Sequence, residues 1–292
     1  MEDKMEDKIK TIKINGVEFS FNQKKAYEKD GHVYCRKCNE KIDSDPLNYF
    51  GNKKILFRRQ CKCDREAESL RKAREEADHI RRLREECFIT SRNLINCTFD
   101  KVIEPDRQEV IIAKNFVKNF KELSKDNNGL IFHGNVGTGK TYLAACIANK
   151  VIEDYQIRVK MRNIPQIIND IEKRGFDIDK NDYYRKLSSV SLLILDDFGI
   201  ERNTEYVNEM VYQIINTRYE SKKPTIISTN IPLGLIMDGS NDIDKERIYS
   251  RLREMCIPVK IAGKDIRREI GRKKLRETRD LLLGDRWGER NV

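Results

Sequence analysis

No apolar run in this sequence approaches the roughly 20 residues needed to cross a bilayer; stretches such as 191–195 and 281–283 fall far short. No transmembrane helix is therefore expected. Met1-Glu2-Asp3-Lys4 opens the chain with charged residues and no apolar stretch behind them, so the start does not read as a secretory signal. The expected location is the cytoplasm, with no membrane partner. Histidine is scarce, at 3 residues, and no internal repeat is visible. In a reducing compartment the 8 cysteines do not form a disulfide framework, which makes metal binding the alternative to test.

What is present is a chain of 292 residues, long enough for one full α/β domain and a smaller appendage. Hydrophobic residues make up 38% and charged residues 36%, so a core is possible beneath a heavily charged surface. The formal net charge of +10 favours a polyanionic partner, nucleic acid first, because neutralised phosphates release counterions. The other reading is a solvated basic surface.

Residues 1–31 are polar and expected to be loosely structured, except that 11–21 alternates enough to form a short hairpin around Asn15-Gly16. A compact cysteine-bearing module follows at 35–63. Residues 64–86 read as a long charged helix without Gly or Pro, carrying only a thin apolar stripe of Leu70, Ala73, Ala77, Ile80 and Leu83. It is either a connector or docking helix, or a solvated spacer held by opposite charges three or four residues apart. After Pro105, apolar strands alternate with amphipathic helices, which implies a parallel sheet covered on both faces. Helices are expected at 107–124, 140–154, from Pro165, at 205–220, 245–254 and 267–283. Strands are expected at 130–133, 158–162, 191–195, 225–229 and 257–261. The expected division is an N-terminal region at 1–63, a charged helical connector at 64–89 and a main α/β domain at 90–292 ending in a basic helix.

Gly134-Asn135-Val136-Gly137-Thr138-Gly139-Lys140-Thr141 satisfies G-x-x-x-x-G-K-[ST] between an apolar strand and the opening of a helix. The glycines let successive backbone N–H groups converge on phosphate oxygens, and the helix N-terminus adds partial positive charge. Lys140 is placed to reach the β and γ phosphates and the Thr141 hydroxyl to ligate Mg²⁺. His133, just ahead, reads as a strand residue. Leu192-Leu193-Ile194-Leu195-Asp196-Asp197 is a buried strand ending in two carboxylates, where a doubly wound sheet exposes its working groups. Asp196 is the expected Mg²⁺ holder, through water, and Asp197 the group that polarises the attacking water; capping of the next segment is the other reading. Asn230, closing Ser228-Thr229-Asn230, would orient water against the γ phosphate. Arg247 and Arg251 lie four apart on one helix face, either as ordinary surface arginines or as a guanidinium finger reaching the γ phosphate of a neighbouring subunit. The finger predicts self-association with ATP.

With these elements in this order, the stretch from about Cys97 to Ile261 resembles the AAA+ ATPases, and among them the DnaC/DnaI helicase loaders and the similar IstB transposition helpers. The matching segments are Gly134 through Thr141 continued by Tyr142-Leu143-Ala144, Leu193-Ile194-Leu195-Asp196-Asp197-Phe198-Gly199, Ser228-Thr229-Asn230, and Glu246-Arg247-Ile248-Tyr249-Ser250-Arg251-Leu252. They are similar to Walker A, Walker B, sensor 1 and the arginine-finger box. The implied fold is α/β: an AAA+ P-loop domain with a parallel sheet flanked by helices, here preceded by a small zinc-binding module and a charged connecting helix. By the same resemblance, Phe99 lines the adenine pocket and Tyr142 belongs to the nucleotide site. The implied function is ATP-dependent delivery of the replicative hexameric helicase onto single-stranded DNA, with the N-terminal region binding the helicase. Two departures stand out: Asp197 occupies a position where most AAA+ proteins have Glu, implying slow turnover, and little chain remains for a sensor 2 lid, leaving Arg267 or Arg268 as substitutes. The competing functions are an IstB-like helper of a transposase on duplex DNA and a nucleotide-dependent adaptor with negligible hydrolysis.

Cys35-x-x-Cys38 and Cys61-x-Cys63 form two close pairs separated by a loop, the pattern of a four-thiolate Zn²⁺ site that folds a small module. His32 is near enough to compete as a ligand, and unpaired reduced thiols are the other reading. A comparable zinc module forms the helicase-binding end of DnaI-type loaders. Cys87, Cys97, Cys146 and Cys256 stand singly among apolar residues and read as small buried hydrophobes. Candidate single-strand contacts are Lys173, Arg174, Tyr183, Tyr184, Arg185 and Lys186, or the terminal run Arg267, Arg268, Arg272, Lys273, Lys274 and Arg276.

Overall fold

The computed structural model describes residues 8–49, 53–173, 180–199 and 204–283, and the chain divides into two compact units, Met1–Asp78 and His79–Val292. Arg174, one of the candidate single-strand contacts, lies outside the described residues.

In the first unit, β1 (Ile9–Ile14) and β2 (Val17–Asn22) form the anticipated hairpin, closed by Asn15 and Gly16 with φ of 47° and 82°. Positive φ at both central residues gives the turn a twist matching that of the strands. A second antiparallel pair, β3 (Ala26–Lys29) and β4 (His32–Cys35), turns at Asp30-Gly31 in the same way. The expectation of a loose segment up to residue 31 is thus corrected for residues 8–31. Ile14, Phe19, Phe21 and Ala26 are buried with Val33 and Ile42, and this small apolar cluster orders chain that its polar composition had disguised. A short antiparallel pair, β5 (Leu47–Tyr49) and β6 (Lys53–Ile55), completes the unit's strands.

Helix α1 (Lys62–Cys87) begins in one unit and ends in the other. Of its expected stripe, Leu70, Ala73 and Ala77 are exposed; Ile80 and Leu83 pack with Cys87 and Phe88 in a core of the second unit. The solvated part is laced by opposite charges four apart, such as Lys72–Glu68 at 3.1 Å and Arg71–Glu75 at 3.4 Å. Exposed pairs of this kind contribute little each. Its last turns, by contrast, are fastened by the buried Arg162, which donates to the Cys87 carbonyl at 2.9 Å.

The second unit continues with α2 (Gln108–Lys118), α3 (Phe120–Lys125), β7 (Gly129–His133), α4 (Lys140–Tyr155), β8 (Val159–Asn163), α5 (Ile164–Lys173), α6 (Lys180–Ser188) and β9 (Leu192–Phe198). Then come α7 (Glu205–Glu220), β10 (Thr225–Thr229), α8 (Leu233–Met237), α9 (Ile243–Met255), β11 (Cys256–Lys260) and α10 (Ile266–Leu283). The single helix expected over 107–124 is two, because Asn119 leaves helical geometry at φ −101°, ψ 16°. Five strands form one parallel sheet in the order β11-β7-β10-β9-β8. Period-two alternation divides its apolar residues between the two faces. Leu130, Phe132, Leu192, Ile194 and Ile226 pack with α2 and α4; Ile131, Leu193, Leu195 and Ile227 pack with α5, α6, α7 and α9. Parallel pairing sets the carboxyl ends of β7, β9 and β10 side by side, which brings their following loops to one edge.

The strand expected to stop at residue 195 runs on to Phe198. Its pairing with β10 slips between Ile227 and Thr229, so the two aspartates occupy a bulge. Asp197 there takes a left-handed φ of 53°, a conformation that bulges at functional edges use to re-aim side chains.

Candidate nucleotide and zinc sites

The phosphate loop leaves β7 after His133 and returns as α4 at Lys140. Gly134 is required by a close approach of backbone as well as by positive φ, whereas Gly137 combines positive φ with a neighbouring side chain. A Cβ on Gly134 would lie 2.3 Å from the Ile261 carbonyl oxygen, and one on Gly137 would lie 2.0 Å from Asp265 Oδ1. The segment after β11 therefore straps the loop, and the Ile266 amide donates to the Gly137 carbonyl at 2.9 Å. Sequence reading had not anticipated this strap, since nothing local marks Asp265 and Ile266.

Lys140 is buried; its ammonium donates to the carbonyls of Gly134 at 2.8 Å and Asn135 at 2.7 Å. Burial lowers its pKa, opposed by the charges of Asp197 and Asp196 and reinforced by Arg267. Thr138 Oγ1 closes the loop onto the Asn135 carbonyl at 2.9 Å, while Val136 stands exposed at its tip.

Below the loop, Thr141 Oγ1 donates to Asp196 Oδ1 at 2.9 Å. The same carboxylate oxygen accepts from the fully buried Ser228 hydroxyl, whose oxygen in turn accepts from the Asp197 backbone N–H at 3.0 Å. Ser228 thus ties Asp196 and the left-handed Asp197 to β10. Burial raises the Asp196 pKa, the nearby Asp197 charge adds to this, and the Ser228 and Thr141 hydrogen bonds oppose it. A carboxylate so placed gains from a cation, and a hydroxyl beside a carboxylate supplies the hard oxygen donors that Mg²⁺ takes. His133 is a strand residue whose pKa is lowered by burial and by the charges of Lys260 and Lys140.

The remaining candidates are distributed around this centre. Asn230 is exposed directly after β10, whose Thr229 pairs in register with Phe198. Phe99 sits in a short turn, Phe99–Lys101, half-buried against the core beside Tyr142, whose hydroxyl donates to the Thr98 carbonyl at 3.3 Å. Arg247 and Arg251 are on α9 as expected, but no hydrogen bond or ion pair among the described residues joins either to Lys140, Asp196 or Asp197. Arg247 is exposed and lines a surface cleft of about 450 Å³ with Tyr206, Glu209, Tyr212 and Asp244. Arg251 is engaged within its own chain, bonding Asn216 at 2.9 Å and the Arg247 carbonyl at 2.8 Å and stacking 5.0 Å over Tyr212.

Tyr184, proposed above as a stacking ring for single-stranded DNA, is corrected: it is buried in the core, edge-on to Tyr183. Its place on the inward face of α6 is a tertiary fact that the mixed cation and tyrosine composition concealed. Arg218 is a second residue missed from sequence. Fully buried, it donates to the carbonyls of Ser188 and Val190 at 2.8 Å and Pro224 at 2.5 Å and to Thr225 Oγ1 at 3.0 Å, and burial lowers its pKa to about 9. It laces the approach to β9 and the start of β10.

In the first unit the thiols of Cys35, Cys38, Cys61 and Cys63 all lie within 4.8 Å of one another, the only such metal-ligand group among the described residues. Tetrahedral Zn–S bonds of about 2.3 Å need sulfurs roughly 3.8 Å apart, so four thiolates here fit one Zn²⁺. Backbone amide donation, led by Glu40, lowers the Cys38 thiol to about 7, while burial pushes Cys61 up to about 12. His32 is not the competing ligand that its position suggested: its Nδ1 pairs with the buried Asp43 at 2.8 Å. Burial raises the Asp43 pKa, but the Val33 amide and His32 outweigh it and leave the pKa lowered. Cys87, Cys97, Cys146 and Cys256 are all buried, as expected of small hydrophobes. No helix among the described residues is long and apolar enough to cross a membrane.

A five-stranded parallel sheet with a glycine-rich phosphate loop and an acidic strand end defines an α/β ATP-binding domain of the AAA+ class. A family model described as IstB-like ATP binding protein matches residues 67–274, and the chain belongs to that family. Among curated proteins it is similar to the replicative helicase loader DnaC of Escherichia coli (strain K12), 28% identical over 165 residues, covering 54% of this chain and 63% of the relative. It is also similar to the replicative helicase loader DnaI of Bacillus subtilis (strain 168), 23% identical over 189 residues and 60% of each chain. The chain thus spans less than two thirds of these relatives' own length. A crystal structure of the DnaC helicase loader matches with a TM-score of 0.51 at 25% identity, covering 58% of this chain and 99% of that one. A crystal structure of DnaI has the same fold at a TM-score of 0.51 and 24% identity, covering 63% and 99%.

Proposed function

We propose that the chain is a slow ATPase that loads the replicative hexameric helicase onto single-stranded DNA when replication begins. The observation that carries this reading is the junction of Thr141, Asp196 and Ser228 beneath the Gly134–Lys140 loop, supported by relatives named as replicative helicase loaders. Backbone amides of Gly134 to Thr141 hold the triphosphate, and the Lys140 ammonium exchanges its loop carbonyls for β and γ oxygens. Thr141 and Asp196 hold Mg²⁺, which supplies charge neutralisation at the phosphates. Phe99 and Tyr142 flank the adenine. Asp197 accepts the proton of the attacking water, Asn230 orients that water, and the short Asp arm keeps turnover slow. Arg247, exposed on α9, reaches the γ phosphate of an adjoining copy while Arg251 braces it, so ATP promotes self-association. The region 1–63, folded by Zn²⁺ at Cys35, Cys38, Cys61 and Cys63, takes the helicase; 64–89 connects it to the ATPase at 90–292. The protein works in the cytoplasm.

The test is complex formation between the full chain, its cognate helicase and ATP, followed by size-exclusion chromatography. A stable complex that disappears when residues 1–63 are removed is expected; no complex sinks the proposal. The family's IstB-like description favours one second reading, a transposase helper, which predicts a complex with the transposase in place of the helicase. In the same preparation, Asp197→Asn should lose hydrolysis and keep ATP binding. Negligible turnover by the wild type would leave the adaptor reading.

A further inference from the structure

Asn149, on α4, is a polar side chain inside the core of the second unit. It is 2% exposed, and its Nδ2 donates to the Leu94 carbonyl and to the Cys97 carbonyl, both at 2.9 Å. Two carbonyls facing one carboxamide fix which of its atoms is nitrogen, since only the NH₂ end donates. Among the described residues, Asn149 Oδ1 has no hydrogen-bond partner. An unpartnered buried acceptor lowers stability, and departures of this kind gather where function requires them.

The segment that Asn149 holds leads to the base side of the nucleotide site. Residues Arg92–Asn96 form a short turn, Cys97 follows it, and the next turn opens at Phe99. Tyr142 grips the same segment nearer the phosphate loop, donating to the Thr98 carbonyl at 3.3 Å. Seven residues of helix bring Tyr142 and Asn149 to one face, about 10 Å apart along the axis. The same helix starts with Lys140 and Thr141. One rigid element therefore carries phosphate-binding residues at its end and anchors the carbonyls of Leu94, Cys97 and Thr98 along its side.

We propose that Asn149 is a positioning residue for the nucleobase: by fixing the segment 94–98 on α4 it sets where Phe99 stands relative to the phosphate loop, and so how much the base adds to nucleotide affinity. This rests on Phe99 and Tyr142 flanking the adenine, as proposed above. Asn149 lies roughly 13 Å along the helix from Lys140, too far to touch a phosphate, and acts through the segment it holds. Without its NH₂ group the Leu94 and Cys97 carbonyls lose a buried donor, the turn loosens from α4, and Phe99 no longer keeps a fixed distance from Lys140 and Thr141.

The experiment measures ATP and CTP affinities with Mg²⁺ by calorimetry on the full-length wild type, Asn149→Leu and Phe99→Ala. The two nucleotides share ribose and triphosphate, so the ratio of their affinities isolates the base. The wild type should prefer ATP. Asn149→Leu keeps the approximate shape of the side chain and removes its donors. It should weaken ATP about tenfold, the scale of one contact between a base and an aromatic ring, with CTP, whose smaller base gains less from the pocket, little changed. A substitution that only destabilised the fold would lower both affinities together or neither, and would leave the ratio alone. A wild type that binds the two alike, or an Asn149→Leu variant with the wild-type ratio, overturns the proposal. Should Asn149→Leu fail to fold, Asn149→Asp, near-isosteric and able to donate at most one of the two bonds, must shrink the ratio in its place; an unchanged ratio overturns the proposal equally. Phe99→Ala tests the adenine pocket separately. A reduced ratio there beside an unchanged one in Asn149→Leu removes the role of Asn149 and leaves the pocket standing. An unchanged ratio there beside a reduced one in Asn149→Leu keeps the role of Asn149 and takes Phe99 out of the pocket.

Discussion

Replacing Ser228 with Ala tests the site at its most connected atom. The hydroxyl is fully buried, donates to Asp196 Oδ1 and accepts from the Asp197 N–H. The substitution leaves that N–H without an acceptor, at a cost of about 1–3 kcal/mol, and removes a charge-assisted bond of similar worth. Because the effects share one side chain they do not simply add, and a loss of about 2–4 kcal/mol is expected. For a domain of this size, each kcal/mol lowers Tm by about 2–4 °C, so scanning calorimetry should register a clear fall. The Asp196 pKa is already raised by burial, and the Ser228 bond restrains it; without that bond it rises further, and the acid limb of ATP turnover moves to higher pH. The sign for stability is consistent. Ionising Asp196 costs the native state nothing below the unfolded carboxyl pKa, and the cost is complete above the raised folded pKa. Loss of a group that orients a metal-binding carboxylate typically weakens metal affinity 10–100-fold, so the Mg²⁺ midpoint of turnover should rise at least about tenfold. Ser228→Thr, which keeps the hydroxyl, should recover the Mg²⁺ dependence even if its extra methyl lowers Tm. An alanine variant with wild-type Tm and an unshifted Mg²⁺ midpoint refutes the reasoning.

Gly134→Ala should abolish ATP binding by calorimetry, because the new Cβ meets a backbone oxygen at 2.3 Å and sits at a φ of 142°; retained affinity would mean that the strap yields easily. Atomic emission should find one zinc per chain, and stripping it with a chelator should unfold the first unit while ATP binding persists; a metal-free chain with unchanged N-terminal hydrogen-exchange protection contradicts this. Asp43 has a lowered pKa, so its contribution to the same unit is present above the unfolded carboxyl pKa and lost as pH falls through the folded value. Asp43→Asn should therefore flatten the acid limb of that unit's stability. Arg218→Ala leaves several buried carbonyls without their donor and should cost about 3 kcal/mol or more in urea denaturation.

Much of the nucleotide site was legible because its instructions are local. The loop from Gly134 to Thr141 needs glycine conformations, a lysine and a hydroxyl in a fixed order, and the strand before Asp196 announces itself by an unbroken apolar run. The two cysteine pairs were legible for the same reason: ligand spacing within each pair is a property of the chain. Tertiary structure decided what depends on neighbours distant in sequence. β10 lies between β7 and β9, and only that order places Ser228 under both aspartates. The slip between β9 and β10 turns Asp197 left-handed, and no sequence rule marks a bulge that exists only as a mismatch between two strands. The strap of Asp265 and Ile266 on Gly137, the inward rotation of Tyr184, the pairing of His32 with Asp43 and the burial of Arg218 are likewise decided by what packs opposite. Local backbone preference and periodicity are written residue by residue, whereas register, strand order and the partners of buried polar groups arise only when separate segments meet.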